Sequence, residues 1–133
     1  GLILLTNNSK IKYYLESPSN KIIRVYKVKV QGVLKEFHIE NIRKGLIIKG
    51  IKYSVLSISV IKNTRTYTWI IMKLNQGKNQ HIRKVFFKLG FSVNKLIRIQ
   101  YGPFKLASLE LGNVRQLNLK KLNIKNEINN WKL

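Results

Sequence analysis

The segment from Ile22 to Val30 alternates its residue types with a period of two, and this pattern restricts the fold of the chain more than any other. Successive side chains of a β-strand point to opposite faces, so every second residue belongs to the same face. One face carries Arg24, Tyr26, Val28 and Val30, and the other carries Val25, Lys27 and Lys29. The segment therefore predicts a β-strand.

Other parts of the chain predict further strands. Leu46 to Leu74 is rich in β-branched and aromatic residues, which favours two or three strands with a turn near Lys62-Asn63-Thr64. Val93 to Tyr101 predicts another strand, which Gly102-Pro103 ends. The apolar run from Leu2 to Thr6 predicts a short buried strand that leads into a helix.

Two helices are predicted in the first third of the chain. The first follows a cap at Asn7-Asn8-Ser9 and ends before Ser17-Pro18. The second runs from Val33 to Lys44 and ends at Gly45. The residues expected to face the core are Ile11, Tyr14 and Leu15 in the first helix and Leu34, Phe37 and Ile42 in the second.

A third helix is predicted between Gly77, which opens it, and Gly90, which ends it. The apolar residues at helical spacing within it are Ile82, Val85, Phe86 and Leu89. Residues Arg115 to Leu117 predict one more short strand, and the tail from Asn118 predicts a polar helix that frays.

These elements predict one α+β domain over residues 1–133, with a mixed, mainly antiparallel sheet and flanking helices, and with residues 118–133 as a polar C-terminal helix or tail. A chain of 133 residues is long enough for one domain with a core and too short for two. No internal repeat, flexible linker or low-complexity segment divides it.

The charge balance predicts a polyanionic partner. Lysine and arginine number 26 against 5 acidic residues, which gives a net charge of +21. A field of this strength attracts nucleic acid. An AT-rich genome would explain the many lysines but not the scarcity of glutamate, whose codons are also AT-rich. An anionic membrane surface is the other candidate, although no apolar stretch approaches the ~20 residues of a membrane span.

The residue types that the chain lacks exclude several classes of chemistry. It has no cysteine, so disulfides, iron–sulfur clusters and thiolate metal sites are excluded. With only His38 and His81, a histidine-rich metal cage is excluded as well, and no metal site is predicted. All five acids are glutamates, so a mechanism that needs an aspartate must take it from outside this sequence.

The segment from Gln76 to Lys84 is the strongest local candidate for binding chemistry. Gly77 precedes the predicted helix, and the N–H groups and dipole of a helix N-terminus favour a phosphate. It is not a nucleotide-binding P-loop, because Asn79 stands where Ser or Thr would hold magnesium. Further positive charge comes from Lys78, Arg83 and Lys84. A solvated basic helix explains the same spacing equally well.

Single aromatic and histidine residues carry two interpretations each. His81 alone is more often a hydrogen-bonded or surface histidine than a catalytic one. By default Tyr26 is a core residue with a satisfied hydroxyl, and Trp69 is a strand anchor. An aromatic residue among basic residues can instead stack on an unpaired base.

Four segments of the chain carry motifs whose order and spacing hold from Gly1 to about Leu117. They are Gly1–Asn7, Pro18 with Arg24–Gly32, Trp69–Val85, and Leu96–Leu106 with Leu109, Gly112, Arg115 and Leu117. In register, these segments resemble the RNA pseudouridine synthases, in particular the RsuA-like branch that modifies small- and large-subunit ribosomal RNA. The first is similar to the end of the family's G-R-L-D-x-x-T-x-G-L-L-L-L-T-N-D-G, and the second to its P-x5-K-x-Y-x-V-x-V-x-G. The third is similar to W-L-E-V-V-L-T-E-G-R-N-R-Q-V-R-R-M, and the fourth to L-K-R-V-R-I-G-P-L-R-L with the L, G, R and L that follow it.

This resemblance implies the catalytic domain of an isomerase that converts uridine to pseudouridine in folded RNA without a cofactor. In the family an aspartate nucleophile cleaves the glycosidic bond, the uracil rotates, and it is rejoined through carbon. The target base is flipped out of its helix. The implied partner is ribosomal RNA or tRNA, with no membrane and no metal, and a monomer is favoured. The implied location is the cytoplasm of a bacterial-type cell or an equivalent organelle.

Individual residues match positions of known role in the family. The resemblance implies that Tyr26 stacks on the flipped base and assists proton removal, and that Arg83 pairs with the catalytic aspartate. It implies a pocket walled by Leu96 and Ile82. The residues expected to contact RNA are Lys78, Asn79, His81, Lys84 and Arg98.

The sequence departs from the family pattern on its N-terminal side, where two features are expected upstream, and at position 81. The nucleophilic aspartate is expected about five positions before Gly1, and the S4-type RNA-binding module that usually precedes this domain does not stand in the sequence. His81 replaces the usual glutamine. One hypothesis is therefore a synthase domain whose N-terminal part lies upstream. The alternative is a synthase-derived protein that binds RNA or the ribosome without catalysis.

Overall fold

The structure is a computed structural model that describes residues 1–78 and 80–117. Its centre is a five-stranded sheet with the order β4-β5-β1-β6-β7, in which every pairing is antiparallel. The strands are β1 (Arg24–Gln31), β4 (Ser57–Asn63), β5 (Tyr67–Leu74), β6 (Ser92–Tyr101) and β7 (Phe104–Lys105). A separate hairpin is formed by β2 (Leu46–Ile48) and β3 (Ile51–Tyr53). The prediction of an α+β fold with a mainly antiparallel sheet is confirmed.

Two of the three described helices pack on one face of this sheet, which we call the inner face. It is defined by the fully buried residues Val28, Val30, Ile70 and Met72. The helices are α1 (Ser9–Glu16), α2 (Glu36–Lys44) and α3 (His81–Lys88), and a short 3-10 turn spans Pro18–Asn20. The main core joins the inner face to α2 and α3, while α1 covers a second, smaller core beside Tyr101 and Phe104.

The period-two pattern of β1 is confirmed by its register. Val28 lies opposite Ile70 of β5 and Leu96 of β6, and all three side chains contribute to the main core. The ladder to β6 shifts register between Val25 and Tyr26 and again between Lys29 and Val30. Such bulges bend a strand and increase its twist, which curls the sheet around the inner face.

The first two predicted helices are both formed, but the second differs from the prediction in its start and in one core-facing residue. Asn8 caps α1, as predicted, because its Oδ1 accepts hydrogen bonds from the N–H groups of Lys10 and Ile11. The second helix starts at Glu36, three residues later than predicted from Val33. Phe37 is 59% exposed instead of buried, because the core-facing stripe of α2 passes through Ile39 and Ile42.

The third helix begins at His81 and not at Gly77. Gln80 adopts a left-handed backbone conformation with φ 50°, which ends any helix running through it from the N-terminal side. The buried stripe of Ile82, Val85 and Phe86 is as predicted. Before the helix, Gln76 accepts a hydrogen bond from the Ser54 N–H, and Lys78 donates to the carbonyl oxygen of Lys52 in the β2–β3 hairpin.

Two predicted strands are not formed. Residues 2–6 are extended but have no strand assignment, and Ile3 and Leu5 are 75% and 83% exposed. Only Leu2 and Leu4 contact the smaller core, so the run is not a buried strand. Residues 115–117 are irregular and exposed. The region from Leu46 to Leu74 forms four strands where two or three were predicted. The predicted C-terminal helix lies outside the described residues.

Candidate functional site

Tyr26 lies at one end of the inner face, between two neighbouring strands. Its register partners are Met72 on β5, which is fully buried, and Arg98 on β6. The ring is half-buried and packs against the main core. Because the register shift to β6 occurs directly before Tyr26, the strand bends at this position. Part of the Tyr26 ring therefore packs in the core, as the default interpretation predicted, and the rest of the ring remains accessible to solvent.

Two guanidinium groups flank Tyr101 beside this tyrosine. Arg24 and Arg98 lie 4.9 Å and 4.8 Å from the centre of the Tyr101 ring. The Tyr101 hydroxyl donates to the carbonyl oxygen of Leu15, 2.8 Å away, and accepts from Nη2 of Arg24 at 3.2 Å. We call Arg24, Tyr26, Arg98 and Tyr101 the Tyr26 cluster. It combines an accessible aromatic ring with two cations.

Sequence reasoning did not single out Arg24 as a site residue. A signal was nevertheless present, because Arg24 stands two positions before Tyr26 on the same strand face. The register adds what the sequence could not show: Arg24 lies opposite Tyr101 on β6. Its Nη1 also donates to the carbonyl oxygen of Ile22, which holds the guanidinium near the end of the strand.

Arg98 is engaged with the N-terminal segment. Its Nε and Nη2 donate to the carbonyl oxygen of Leu2 at 3.1 Å and 2.8 Å, and the Leu2 N–H donates to the carbonyl oxygen of Arg98 at 2.8 Å. Arg98 thus ties the chain before α1 to β6. Its contact with an RNA phosphate stays a prediction, for which the remaining N–H donors of the guanidinium are available.

Arg83 stands on the exposed side of α3. Its Nη1 donates to the carbonyl oxygen of Val93, 3.1 Å away, and Val93 pairs with Val30 on β1. Val30 is four residues from Tyr26, about 13 Å along a strand. Through this hydrogen bond the structure places the guanidinium of Arg83, which belongs to α3, beside the Val93 end of the sheet and away from the Tyr26 cluster. Among the described residues, ion pairs occur only between Arg43 and the glutamates at positions 36 and 40, so no carboxylate pairs with Arg83.

His81 is a buried histidine at the start of α3. It is 4% exposed, and neither ring nitrogen has a hydrogen-bond partner within the described part of the chain. Its ring makes an edge contact with Tyr53 at 5.0 Å. Burial, together with the positive charge of Lys78, lowers the pKa of His81 to about 4. The histidine is therefore neutral at pH 7, and its predicted contact with RNA would require a route to its buried ring.

Lys78 is held in place between the loop and the hairpin. Its Nζ donates to the carbonyl oxygen of Lys52 and to Oε1 of Gln76, and it lies 5.4 Å from the centre of the Tyr53 ring. Lys84 is exposed on α3. Both remain predicted RNA contacts, while the predicted contact by Asn79 lies outside the described residues.

The two predicted pocket residues occupy different environments. Ile82 is 3% exposed and belongs to the main core, where it packs beneath α3. Leu96 is half-buried on β6, two residues from Arg98 on the same inner face. Leu96 therefore shares the inner face with Tyr26, whereas Ile82 belongs to the core beneath α3, and a pocket walled by the two stays a prediction.

The described residues offer groups that can bind a nucleic acid. The Tyr26 cluster offers an aromatic surface for a base and cations for a phosphate. Within residues 1–78 and 80–117 there is no group of three or more histidine or carboxylate side chains suited to a metal ion. No helix in this part of the chain is long and apolar enough to span a membrane.

Comparison with curated proteins finds RNA pseudouridine synthases. An uncharacterized RNA pseudouridine synthase of Rickettsia typhi is 38% identical over 134 residues, which cover 98% of this chain and 54% of the relative. Ribosomal large subunit pseudouridine synthase B of Buchnera aphidicola is 32% identical over 126 residues, which cover 92% of this chain and 50% of the relative. The chain thus spans about half the length of these relatives. It matches no protein-family model.

A solved structure shows that a pseudouridylate synthase has a similar fold. The crystal structure of a pseudouridylate synthase superposes with a TM-score of 0.72 at 19% identity, over 88% of this chain and 50% of that one. At this identity the likeness concerns the fold alone, and it agrees with the sequence relatives. Over about half of their length, the chain is therefore a homologue of RNA pseudouridine synthases, and the resemblance that its four motifs predicted is confirmed.

Proposed function

We propose that this chain is the main part of the catalytic domain of an enzyme that isomerises uridine to pseudouridine in ribosomal RNA. The observation that carries the proposal is the Tyr26 cluster, an accessible aromatic ring beside two guanidinium groups at the end of a sheet shared with this family. The name of the Buchnera relative, a ribosomal large subunit synthase, supports ribosomal RNA as the substrate; tRNA is the other candidate.

The reaction rearranges one nucleotide without gain or loss of atoms. The bond between N1 of uracil and C1′ of ribose breaks, the base rotates, C5 bonds to C1′, and the proton leaving C5 is balanced by one gained at N1. No cofactor is needed for this balance. The aspartate nucleophile of the family would be supplied by chain upstream of Gly1, since the sequence contains no aspartate.

Four residues of this chain have roles in the proposed reaction. Tyr26 stacks on the flipped uracil and assists proton removal at C5. Arg24 and Arg98 bind the flanking phosphates, because guanidinium groups match phosphate oxygens in a bidentate manner. Arg83 leaves the Val93 carbonyl and pairs with the incoming aspartate, which its exposed position on α3 permits.

The test uses a longer form of the protein that carries the aspartate, with ribosomal RNA transcripts as substrate and pseudouridine measured by mass spectrometry after nuclease digestion. The longer form should generate pseudouridine, and Arg83→Ala should abolish turnover while weakening RNA binding less than about threefold. Lys88→Ala, an exposed position at the end of the same helix, is the matched control and should retain most turnover. Absence of pseudouridine from every ribosomal RNA treated with the longer form would exclude the proposal.

The second candidate function is RNA binding without catalysis. The net charge of +21 favours it. It predicts binding to ribosomal RNA whose logarithm of affinity falls linearly with the logarithm of the salt concentration, with no isomerisation by any form of the protein. Turnover by the longer form decides between the two functions.

A further inference from the structure

The sheet has a second face, opposite the one that α2 and α3 cover. The register assigns its members, because they alternate with the buried inner-face residues. We call it the outer face, and its central residues are Lys27, Lys29, Tyr67, Trp69, Ile71, Lys73, Lys95 and Ile97. Lys73 and Lys95 are exposed and the others are half-buried.

The outer face brings lysines against aromatic rings from neighbouring strands. Nζ of Lys27 lies 5.0 Å from the centre of the Trp69 ring. Nζ of Lys29 lies 4.4 Å from the Tyr67 ring and 6.0 Å from the Trp69 ring. Lys29 and Trp69 are direct register partners, so this contact is built into the strand pairing. The result is a ladder in which cations and flat rings alternate.

The charge of this face has one sign. Four lysines occupy its centre, and Lys62 lies opposite Trp69 on β4. The glutamates of the described chain lie elsewhere: position 16 is on α1, positions 36 and 40 are on α2, and position 110 follows β7. The face therefore complements a polyanion, and nothing on it repels one.

The aromatic rings narrow the class of polyanion. A sulfated or phosphorylated polymer without bases would use the lysines alone, whereas an unpaired nucleic acid also offers flat bases. Tyr67 and Trp69 are two residues apart on one strand, about 7 Å, which leaves room for two bases beside each other. A base stacked on a ring is worth more than an exposed lysine over the same ring, so a base displaces the lysine towards a phosphate.

We propose that the outer face is a second RNA-binding surface, which holds a single-stranded segment by stacking bases on Trp69 and Tyr67 and by pairing phosphates with Lys27, Lys29 and Lys73. It lies on the opposite side of the sheet from Tyr26. The choice of RNA as the ligand of the outer face rests on the proposed function. A single-stranded segment next to the target nucleotide would then be held across the back of the domain.

The test measures whether a base reaches Trp69. The chain has two tryptophans, so Trp131→Phe leaves Trp69 as the only tryptophan reporter. A twelve-nucleotide oligouridylate is titrated into this variant, with tryptophan fluorescence and the anisotropy of an end-labelled oligonucleotide as readouts. Stacking should quench Trp69 fluorescence with the same midpoint as the anisotropy change. Binding by anisotropy with unchanged Trp69 fluorescence would overturn the proposal.

Substitutions separate stacking from charge. Trp69→Leu should weaken oligouridylate binding at least about fivefold, while Trp69→Phe, which keeps a ring, should stay within about twofold. Replacing Lys27 and Lys29 with glutamine should reduce the salt slope by about 1.4, the value for two contacts on a single strand. Phe87→Leu with Lys88→Gln removes an exposed ring and a charge from α3, and should leave Trp69 quenching intact.

Inorganic polyphosphate and anionic vesicles decide between ligand classes. Polyphosphate should bind with an affinity that Trp69→Leu leaves unchanged, because it has no bases to stack. An equal loss of polyphosphate and oligouridylate binding in Trp69→Leu would contradict base stacking. Binding to phosphatidylserine vesicles with no oligouridylate binding would assign the face to a membrane surface instead. None of these measurements depends on turnover, so their failure is distinct from failure of the proposed function.

Discussion

Arg98 of β6 lies opposite Tyr26 of β1 and at the same time donates two hydrogen bonds to the carbonyl oxygen of Leu2, at 3.1 Å and 2.8 Å. The Leu2 N–H donates back to the carbonyl oxygen of Arg98 at 2.8 Å. One residue therefore connects the Tyr26 cluster to the N-terminal segment. In the proposed enzyme the nucleophile lies in the chain that leads into this segment. The hydrogen bonds of Arg98 therefore fix where the segment meets the Tyr26 cluster.

Arg98→Met should loosen the N-terminal segment. The methionine keeps an unbranched side chain but removes both donors, and hydrogen bonds from charged donors contribute about 1.5–3 kcal/mol each. We expect the free energy of unfolding to fall by about 2 kcal/mol and the Leu2 amide to exchange with deuterium faster. Denaturant unfolding and exchange mass spectrometry measure the two effects. Arg115→Met, at an exposed irregular position, is the control; equal behaviour of the two variants would contradict the connection.

Arg83→Ala should leave stability nearly unchanged, within about 1 kcal/mol. The side chain is exposed and has one hydrogen bond, to the Val93 carbonyl, which water can replace. Phe86→Ala, three residues along the same helix, removes a fully buried ring and should cost about 3–5 kcal/mol. Thermal and denaturant unfolding provide the comparison. A large loss in Arg83→Ala would mean that its effect on turnover reports folding rather than chemistry.

Thr68→Val should destabilise the junction between β1, β5 and α2. The Thr68 hydroxyl is fully buried, accepts from the Leu34 N–H at 3.2 Å, and lies 2.9 Å from the Gly32 carbonyl and 2.8 Å from Oδ1 of Asn63. Valine has the same shape but leaves these groups without a partner, which costs about 1–3 kcal/mol. Thr68→Ser keeps the hydroxyl and should lose less. Equal stability of the valine variant and the wild type would show that the hydroxyl network contributes nothing.

His81 should make the protein less stable as the pH falls. The unfolded histidine binds a proton below about pH 6.5, whereas the folded one, whose pKa burial and Lys78 lower to about 4, stays neutral to lower pH. The free energy of unfolding should therefore decrease between pH 6.5 and pH 4, by on the order of 3 kcal/mol, and level off below that range.

His81→Leu is the variant that isolates this effect. It removes two buried nitrogens that have no partner in the described part of the chain, so stability at pH 7 should be equal or higher. Its unfolding curve should lose most of the slope between pH 4 and 6.5. His38→Gln is the control, since burial and Lys35 lower the pKa of His38 as well but the His81 contribution remains. An unchanged slope in His81→Leu would exclude His81 as its source.

Local sequence patterns predicted those structural features that depend only on residues close together in the chain. The faces of β1 follow from alternation, the cap of α1 follows from Asn8, and the buried stripe of α3 follows from helical spacing. Phe37 shows where this reasoning ends. It lies at helical spacing from Leu34, but only the packing of α2 against β4 decides that Ile39, and not Phe37, faces the core beside Ile42.

The sequence by itself determined the fold class, the basic character and the family, because alternation, charge and motif spacing are properties of the chain alone. Only the tertiary structure decided that Arg24 and Arg98 meet on Tyr101, that Arg83 reaches Val93, and that lysines of β1 lie over rings of β5. The contacts between strands depend on strand order and register, which join residues as far as 77 positions apart, as Arg24 and Tyr101 are. A register shift of one residue would place the side chains of the shifted strand on the other face.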